Sequence, residues 1–328
     1  MRAFIRRTSA VVAVSTTAIV ASAPDVFAQE WPTRPITLVV PFSAGGATDL
    51  AARQMTNEMS SKSRYRFVIE NRTGANGNIG AALVARAAPD GYTLLFGLPG
   101  ILATNRFMYA TMPFAADTAF DPIILLAKSP LVVVTAPTSS AQSVEQLIAT
   151  AKSNPEKLNF GSPGVGSQSH LMMELFQKLS TTKLTHVPYR DNASMIADVM
   201  AGRIQLAPVF APAVVSFVQD GRLRALFGTG LMRSVQLHDV PTLDESGYKG
   251  FESVAWYSVV APAKTPAAIV HKLNADINAY LHSEAGKQQL GSLDMEPVGG
   301  SPEDLRKYIA REVAIWGPVI RDAKVGAQ

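Results

Sequence analysis

The sequence predicts an α/β protein, a sheet with crossover helices divided into two lobes. From Trp31 onward, short β-prone apolar runs alternate with segments of helical periodicity. The first run, Ile36–Val40, is almost continuously apolar, as a strand covered on both faces would be. And three times a strand candidate passes through a small-residue turn into a helix, the connection around which open α/β sheets build their sites.

The strand candidates are Ile36–Val40, Phe67–Glu70, Thr93–Phe96, Leu131–Thr135, Leu158–Phe160, Ile204–Ala207, Leu223–Phe227 and Trp256–Ala261. Several helices declare their starts. Ser143 and Gln146 have capping-box spacing, and Pro155 closes that helix. Thr265-Pro266 offers an N-cap followed by proline at the first helical position. Ile269, Leu273, Ile277 and Leu281 then repeat at four-residue spacing, an apolar stripe. Ser301-Pro302-Glu303-Asp304 repeats the cap-plus-proline device, with Leu305, Ile309, Val313 and Trp316 as the stripe to bury. No internal repeat or low-complexity segment interrupts this pattern.

Pro122–Pro137 is where the chain is expected to cross between lobes, since Lys128-Ser129-Pro130 breaks two apolar runs there. A return crossing is expected around Gly247–Ser258. The organisation that follows is a leader over 1–28, a first lobe over 29–130 and a second over 131–250, with 251–328 completing the first. The leader has the layout of a cleaved secretory signal: basic MRAFIRR, apolar SAVVAVSTTAIVASA, and VFA ending at Ala28. The apolar run is too short and too rich in Ser and Thr for a membrane anchor. A periplasmic location is therefore expected. The 328 residues contain no cysteine, which excludes disulfides, thiolate chemistry and a lipid-modified cysteine. The net charge of +4 owes much to three leader arginines, and no basic tract suggests nucleic acid as a partner.

The three turns are VVPFSAGGATDL (39–50), NRTGANGNIGAALVARA (71–87) and NFGSPGVGSQSHLMMELF (159–176). Glycine there permits positive φ and leaves no Cβ in a ligand's way. The first helical N–H groups lack intrahelical partners, and the helix dipole favours an anion beside them. Thr48 or Asp49, and Ser167 or Ser169, suit the caps. Each turn also reads simply as a tight connection, and Gly74, Gly77 and Gly80 as residues for helix–sheet packing.

The anion is narrowed by what is missing. Neither G-x-G-x-x-G nor G-x-x-x-x-G-K-[ST] occurs, so a nucleotide is disfavoured and a carboxylate fits backbone donors without a lysine. His170, His186, His238, His271 and His282 are scattered without metal-ligand spacing. No G-x-S-x-G elbow activates a serine. His170 alone lies near a candidate turn, where it suits hydrogen bonding at a helix start better than the role of a base. The pattern is that of a site that holds a ligand unchanged, with no cofactor, metal or catalytic residue.

Several stretches resemble the Bug family of extracytoplasmic solute receptors, the binding components of tripartite tricarboxylate transporters. They are WPTRPITLVVPFSAGGATD, ENRTGANGNIGAALVARAAPDGYTLL, PEKLNFGSPGVGSQSHL, HVPYRDNASMIADVMAGRIQ, DGRLRAL, DVPTLDESGY and WYSVVAPAKTPAAIVHKLN, in this order over nearly all of the chain after the leader. The resemblance implies a two-lobed periplasmic binding protein of the class II type. Its ligand, a small aliphatic or aromatic carboxylate, would be held between the lobes mainly by loop amides and ordered waters. It implies membrane permease subunits as partners and a monomeric receptor. The family's first binding loop falls on Phe42, Ser43, Ala44, Gly45, Gly46 and Asp49. The second-lobe loop falls on Ser162, Pro163, Gly164, Gly166, Ser167 and His170. Gly74, Ala75, Gly77 and Tyr189 are further cleft candidates. Two departures stand out. Arg190-Asp191 follows Tyr189 where the family commonly has a glycine, which gives Arg190 reach toward an anion or a pairing with Asp191. Gln205–Phe210 lacks the acid that members often carry after Gly202, which points to a ligand without an ammonium group and makes Phe210 an apolar wall. A ligand sensor working through a membrane partner is the alternative reading, and a hydrolase using Ser167 or Ser169 with His170 a weaker one.

Overall fold

Three parallel strands begin the structure, a computed structural model that describes residues 31–326; the leader lies outside these residues. β1 (Ile36–Val40) pairs with β2 (Phe67–Asn71) on one side and β3 (Thr93–Gly97) on the other. α1 (Ala47–Lys62) and α2 (Asn78–Ala85) make the crossovers. After β3 a π-helical turn, Gly100–Thr104, leads into the short α3 (Asn105–Met108). The continuous apolar run of β1 is explained by burial: Ile36, Leu38, Val39 and Val40 are fully covered.

β4 (Phe120–Thr135) is one strand of 16 residues, although its sequence reads as two broken runs. As far as Pro130 it pairs antiparallel with β9 (Val254–Pro262), and from Leu131 with β7 (Ala207–Phe210). Proline cannot donate to a ladder, but carbonyl acceptance and pairing on both sides hold the strand through Pro130. The second lobe continues as α4 (Val144–Ser153), β5 (Asn159–Ser162), α5 (Gln168–Ser180), β6 (Thr185–Pro188), α6 (Asn192–Met200), β7, α7 (Val215–Gln219) and β8 (Arg224–Gly228). β5 and β6 are parallel, and a bridge from Phe160 to Leu206 sets β5 beside the start of β7. The chain returns through β9, α8 (Ala267–His282), α9 (Glu284–Ser292), β10 (Glu296–Gly299) and α10 (Pro302–Asp322). This is an α/β architecture in two lobes.

Each lobe has its own core. Leu38, Met55, Phe96, Ile124 and the α8 stripe Leu273–Ile277–Leu281 belong to the first. Leu131, Phe160, Met172, Phe176 and Phe227 belong to the second. Half-buried Phe210 packs against both. α10 spans the lobes: Leu305 lies in a first-lobe cluster with Trp256, whereas Trp316, Val319 and Ile320 pack with Met108 and Leu171. Lys178 of α5 pairs with Asp322 of α10 at 2.7 Å.

The caps differ in detail from expectation. Ser301 and Asp304 form a full capping box with Pro302 behind it. Ser143 accepts from the Gln146 amide, but the Gln146 side chain takes the N–H of Gln142 and leaves the box half made. The Thr265 hydroxyl donates to the Pro262 carbonyl, so α8 begins one residue later than predicted, with Pro266 as its cap. Among the described residues no helix is long and apolar enough to cross a membrane.

Candidate functional site

The turn after β1 is organised by Asp49. This buried carboxylate accepts from the Gly45 N–H (2.9 Å), Arg53 Nε (2.8 Å) and Asn71 Nδ2 (2.9 Å). Asn71 Nδ2 also reaches the Phe42 carbonyl at 2.9 Å. Burial alone would raise the carboxyl pKa, but bonds from Arg53, Gly45 and Asn71 outweigh it and hold it at about 2. Asp49 is therefore an anchor, and it is not the N-cap of α1, a position taken by Gly46. Gly45 adopts φ +82°, a conformation open to glycine at little cost. Its N–H is spent on Asp49. The N–H groups of exposed Ala44, Gly46 and Ala47 and of half-buried Thr48 have no hydrogen-bond partner among the described residues.

The turn after β2 is strained. Gly74, Ala75, Asn76 and Gly77 all have positive φ, at 120°, 47°, 50° and 89°. For Ala75 this costs on the order of 1–3 kcal/mol, and such a conformation persists only when the surroundings enforce it. Asn105, fully buried in α3, does the enforcing. Its Nδ2 reaches the Asn76 carbonyl (3.1 Å) and Asn78 Oδ1 (2.7 Å), while its Oδ1 takes Asn76 Nδ2 (2.7 Å). The Gly77 and Gly80 positions also abut Pro41, which joins this turn to the first one.

The turn after β5 spends most of its polar groups on itself. Ser162, fully buried, donates to the Gly164 carbonyl (2.9 Å) and accepts the Gly164 N–H (3.2 Å). That leaves His186 Nε2, 2.6 Å away, as a second donor to the hydroxyl. The His170 and His186 rings stack at 3.9 Å, and Phe160 completes a three-ring cluster at 5.0 Å from His186 and 6.2 Å from His170. Burial, then the neighbouring His170, lowers the His186 pKa to about 4, so the ring is neutral. His170 Nδ1 accepts the Gly166 N–H (3.0 Å), and its backbone N–H is capped by Ser167 Oγ. Ser169 donates to the Pro208 carbonyl. Among the described residues neither the Ser167 nor the Ser169 hydroxyl bonds an imidazole, and His170 commits Nδ1 to the Gly166 amide. The amides of Val165, Gln168 and Ser169 have no partner among the described residues.

Between the lobes lies a cleft of about 690 Å³. It brings Asn76 of the second turn together with Pro163, Gly166 and Ser167 of the third, Pro188, and Met108, Tyr109 and Val325. Among the described residues no charged side chain lines it. Of the other predicted residues, Ser43–Gly46 are exposed on the same strand-end edge but lie outside this lining. Tyr189 turns its hydroxyl to Asp198 (2.8 Å), and burial with that bond raises its pKa to about 12. Arg190 is exposed and makes no ion pair among the described residues, while Asp191 instead caps α6 through the Ser194 amide. Phe210 sits at the lobe junction. Gln205 accepts the Asn159 N–H and so ties β5 to the segment leading into β7. Among the described residues no group of three His, Cys, Asp or Glu side chains is placed to hold a metal. Sequence reading missed Asn105, His186, Met108, Tyr109 and Val325. Only the Asn76-Gly77 pair carried a local signal, its tolerance of positive φ.

Comparison with known proteins agrees with this architecture. Residues 51–325 match the model of the tripartite tricarboxylate transporter family receptor. The chain belongs to this family. The receptor is 34% identical to Protein BugT of Bordetella pertussis over 301 residues, 92% of each chain. A structure titled "R. palustris Rpa4515 with adipate" is 39% identical, with a TM-score of 0.76 over 91% of this receptor and 100% of that chain. MatC (Rpa3494) from Rhodopseudomonas palustris with bound malate is 29% identical, with a TM-score of 0.70 over 88% and 100%. The family is a class of solute-binding receptors rather than enzymes.

Proposed function

We propose that this receptor captures a small carboxylate in the periplasm, leaves it chemically unchanged and delivers it to the membrane subunits of a tripartite transporter. The observation that carries the reading is a cleft with no charged side chain among its described lining residues, with the unpaired Val165 amide in its second-lobe wall and the unpaired amides of Ala44, Gly46 and Ala47 on the neighbouring strand-end edge of the first lobe. Neutral N–H donors and two helix dipoles suit one carboxylate group on each side. Adipate and malate in the related structures are consistent with this chemistry.

The site reading assigns two kinds of role. Gly45, Asp49, Gly74, Ala75, Gly77, Ser162, Gly164, Gly166 and His170 shape the turns. Ala44, Gly46, Val165 and Ser167 face the ligand, with Ser43, Pro163 and Phe42 beside them. Arg190, two residues from Pro188, adds long-range attraction at the rim. The first lobe comprises 29–130 and 251–328, the second 131–250, and closure is a hinge motion at β4 and β9.

The test is thermal unfolding of the chain from Gln29 against mono-, di- and tricarboxylates, aromatic acids and neutral solutes. A ligand at a hundredfold excess over its Kd stabilises by about 2.7 kcal/mol, a rise of several degrees. A neutral solute that raises Tm where no acid does would overturn the carboxylate assignment.

A further inference from the structure

The far end of α10 is closed by a well-formed cap. Lys324 is left-handed at φ 51°, its N–H donates to the Arg321 carbonyl (3.1 Å), and the Val325 N–H donates to the Ile320 carbonyl (3.1 Å). This Schellman pattern fixes the residue after the left-handed one and presses its side chain back on the helix. Val325 is accordingly 4% exposed and packs with Ile320, Trp316 and Met108. Its remaining surface lines the inter-lobe cleft, beside Met108, Tyr109 and Gly166. A Cβ on Gly166 would lie 2.8 Å from Met108 Sδ and 3.4 Å from Val325 Cγ1. Three segments far apart in sequence thus meet without spare room: α3, the turn before α5, and the chain beyond α10.

We propose that Val325, held by the α10 cap and backed by Met108, is the end wall of the cleft and sets the length of acid it accepts. This rests on the receptor reading above. An isopropyl group cannot hydrogen-bond a carboxylate, so its influence on a ligand is through shape and contact with the carbon chain. The cap of α10 determines its place. A smaller residue lengthens the cleft, and a larger one shortens it.

The experiment measures Kd by calorimetry for the straight-chain dicarboxylates from malonate to suberate, with the parent chain, Val325→Ala and Val325→Phe. The acids share their charges and differ only in methylenes, each worth about tenfold or more in a fitted apolar pocket. Val325→Phe is expected to move the preferred acid to a shorter one, and Val325→Ala to raise the relative affinity of longer ones. Thermal unfolding of the variants without ligand reports their folding separately. A uniform change across the series, or none, in both variants overturns the end-wall role and leaves the receptor reading intact. A parent chain that binds none of the series also overturns it, while the wider acid screen judges the receptor reading itself.

Discussion

Replacing Asp49 with Asn removes one charge from the anchor of the first turn and keeps its shape. Burial opposes ionisation at this carboxylate, yet Arg53, Gly45 and Asn71 lower its pKa from 3.8 to about 2. At about 1.4 kcal/mol per tenfold change in proton affinity, the folded state gains about 2 kcal/mol from the charged form. Arg53 is 44% exposed, so it returns to water when its partner is neutralised, and the cost of Asp49→Asn stays near that figure. The sign follows from proton counts. Between pH 3.8 and 2 the unfolded chain binds the proton and the folded chain does not. The stabilisation is complete above the unfolded value, falls to about half by pH 3 and vanishes below the folded pKa. Urea unfolding of parent and variant, followed by tryptophan fluorescence at pH 6 and pH 3, gives the two gaps directly. A gap of the same size at both pH values would refute the electrostatic account of this turn.

Three further outcomes are expected. Asn105→Ala leaves the Asn76 and Asn78 polar groups unsatisfied and releases the strained second turn, which costs about 2 kcal/mol in chemical denaturation and weakens ligand binding. Unchanged binding would detach that turn from the site. The His186 imidazole should titrate by NMR near pH 4, because burial and then His170 disfavour its charged form. The unfolded ring binds its proton first as pH falls, so this residue contributes stability that rises with pH between about 4 and 6.5, a trend absent in His186→Phe. Gly80→Ala places a Cβ 2.8 Å from the Arg72 carbonyl oxygen, a backbone atom that cannot swing aside. A loss of about 1–3 kcal/mol in thermal or urea unfolding is expected, and a neutral result would show that β2 and α2 separate readily.

Much of the fold was legible because local and tertiary signals agreed. The β1 run, the α8 stripe and the Ser301 box each form where their residues predict. β6 and β10 were missed because their four residues carry too little periodicity, and pairing supplies what propensity does not. The strand expected at Ile204–Ala207 forms at Ala207–Phe210, where the ladder with β4 decides the register. At the site, glycine and serine density located the turns but misassigned their donors. Gly45, Gly164 and Gly166 spend their N–H groups internally, and the unpaired amides belong to neighbours. Nothing near Asn105 or Val325 in sequence announces a role, since each meets site residues 27 or more positions away.

The position of β9 has a consequence for how the chain acquires its structure. β9 lies between β4 and β3, in the middle of the first-lobe sheet rather than at its edge. Until that segment emerges, β1–β3 and β4 have no ladder between them, whereas β4–β8 already contain every strand of the second lobe. The second lobe can mature first, and the first must wait for a strand more than 150 residues downstream of β3. Such distant pairings form slowly and leave unpaired edges exposed meanwhile. A nascent chain of this topology therefore keeps its first lobe unfinished until the β9 segment has been made.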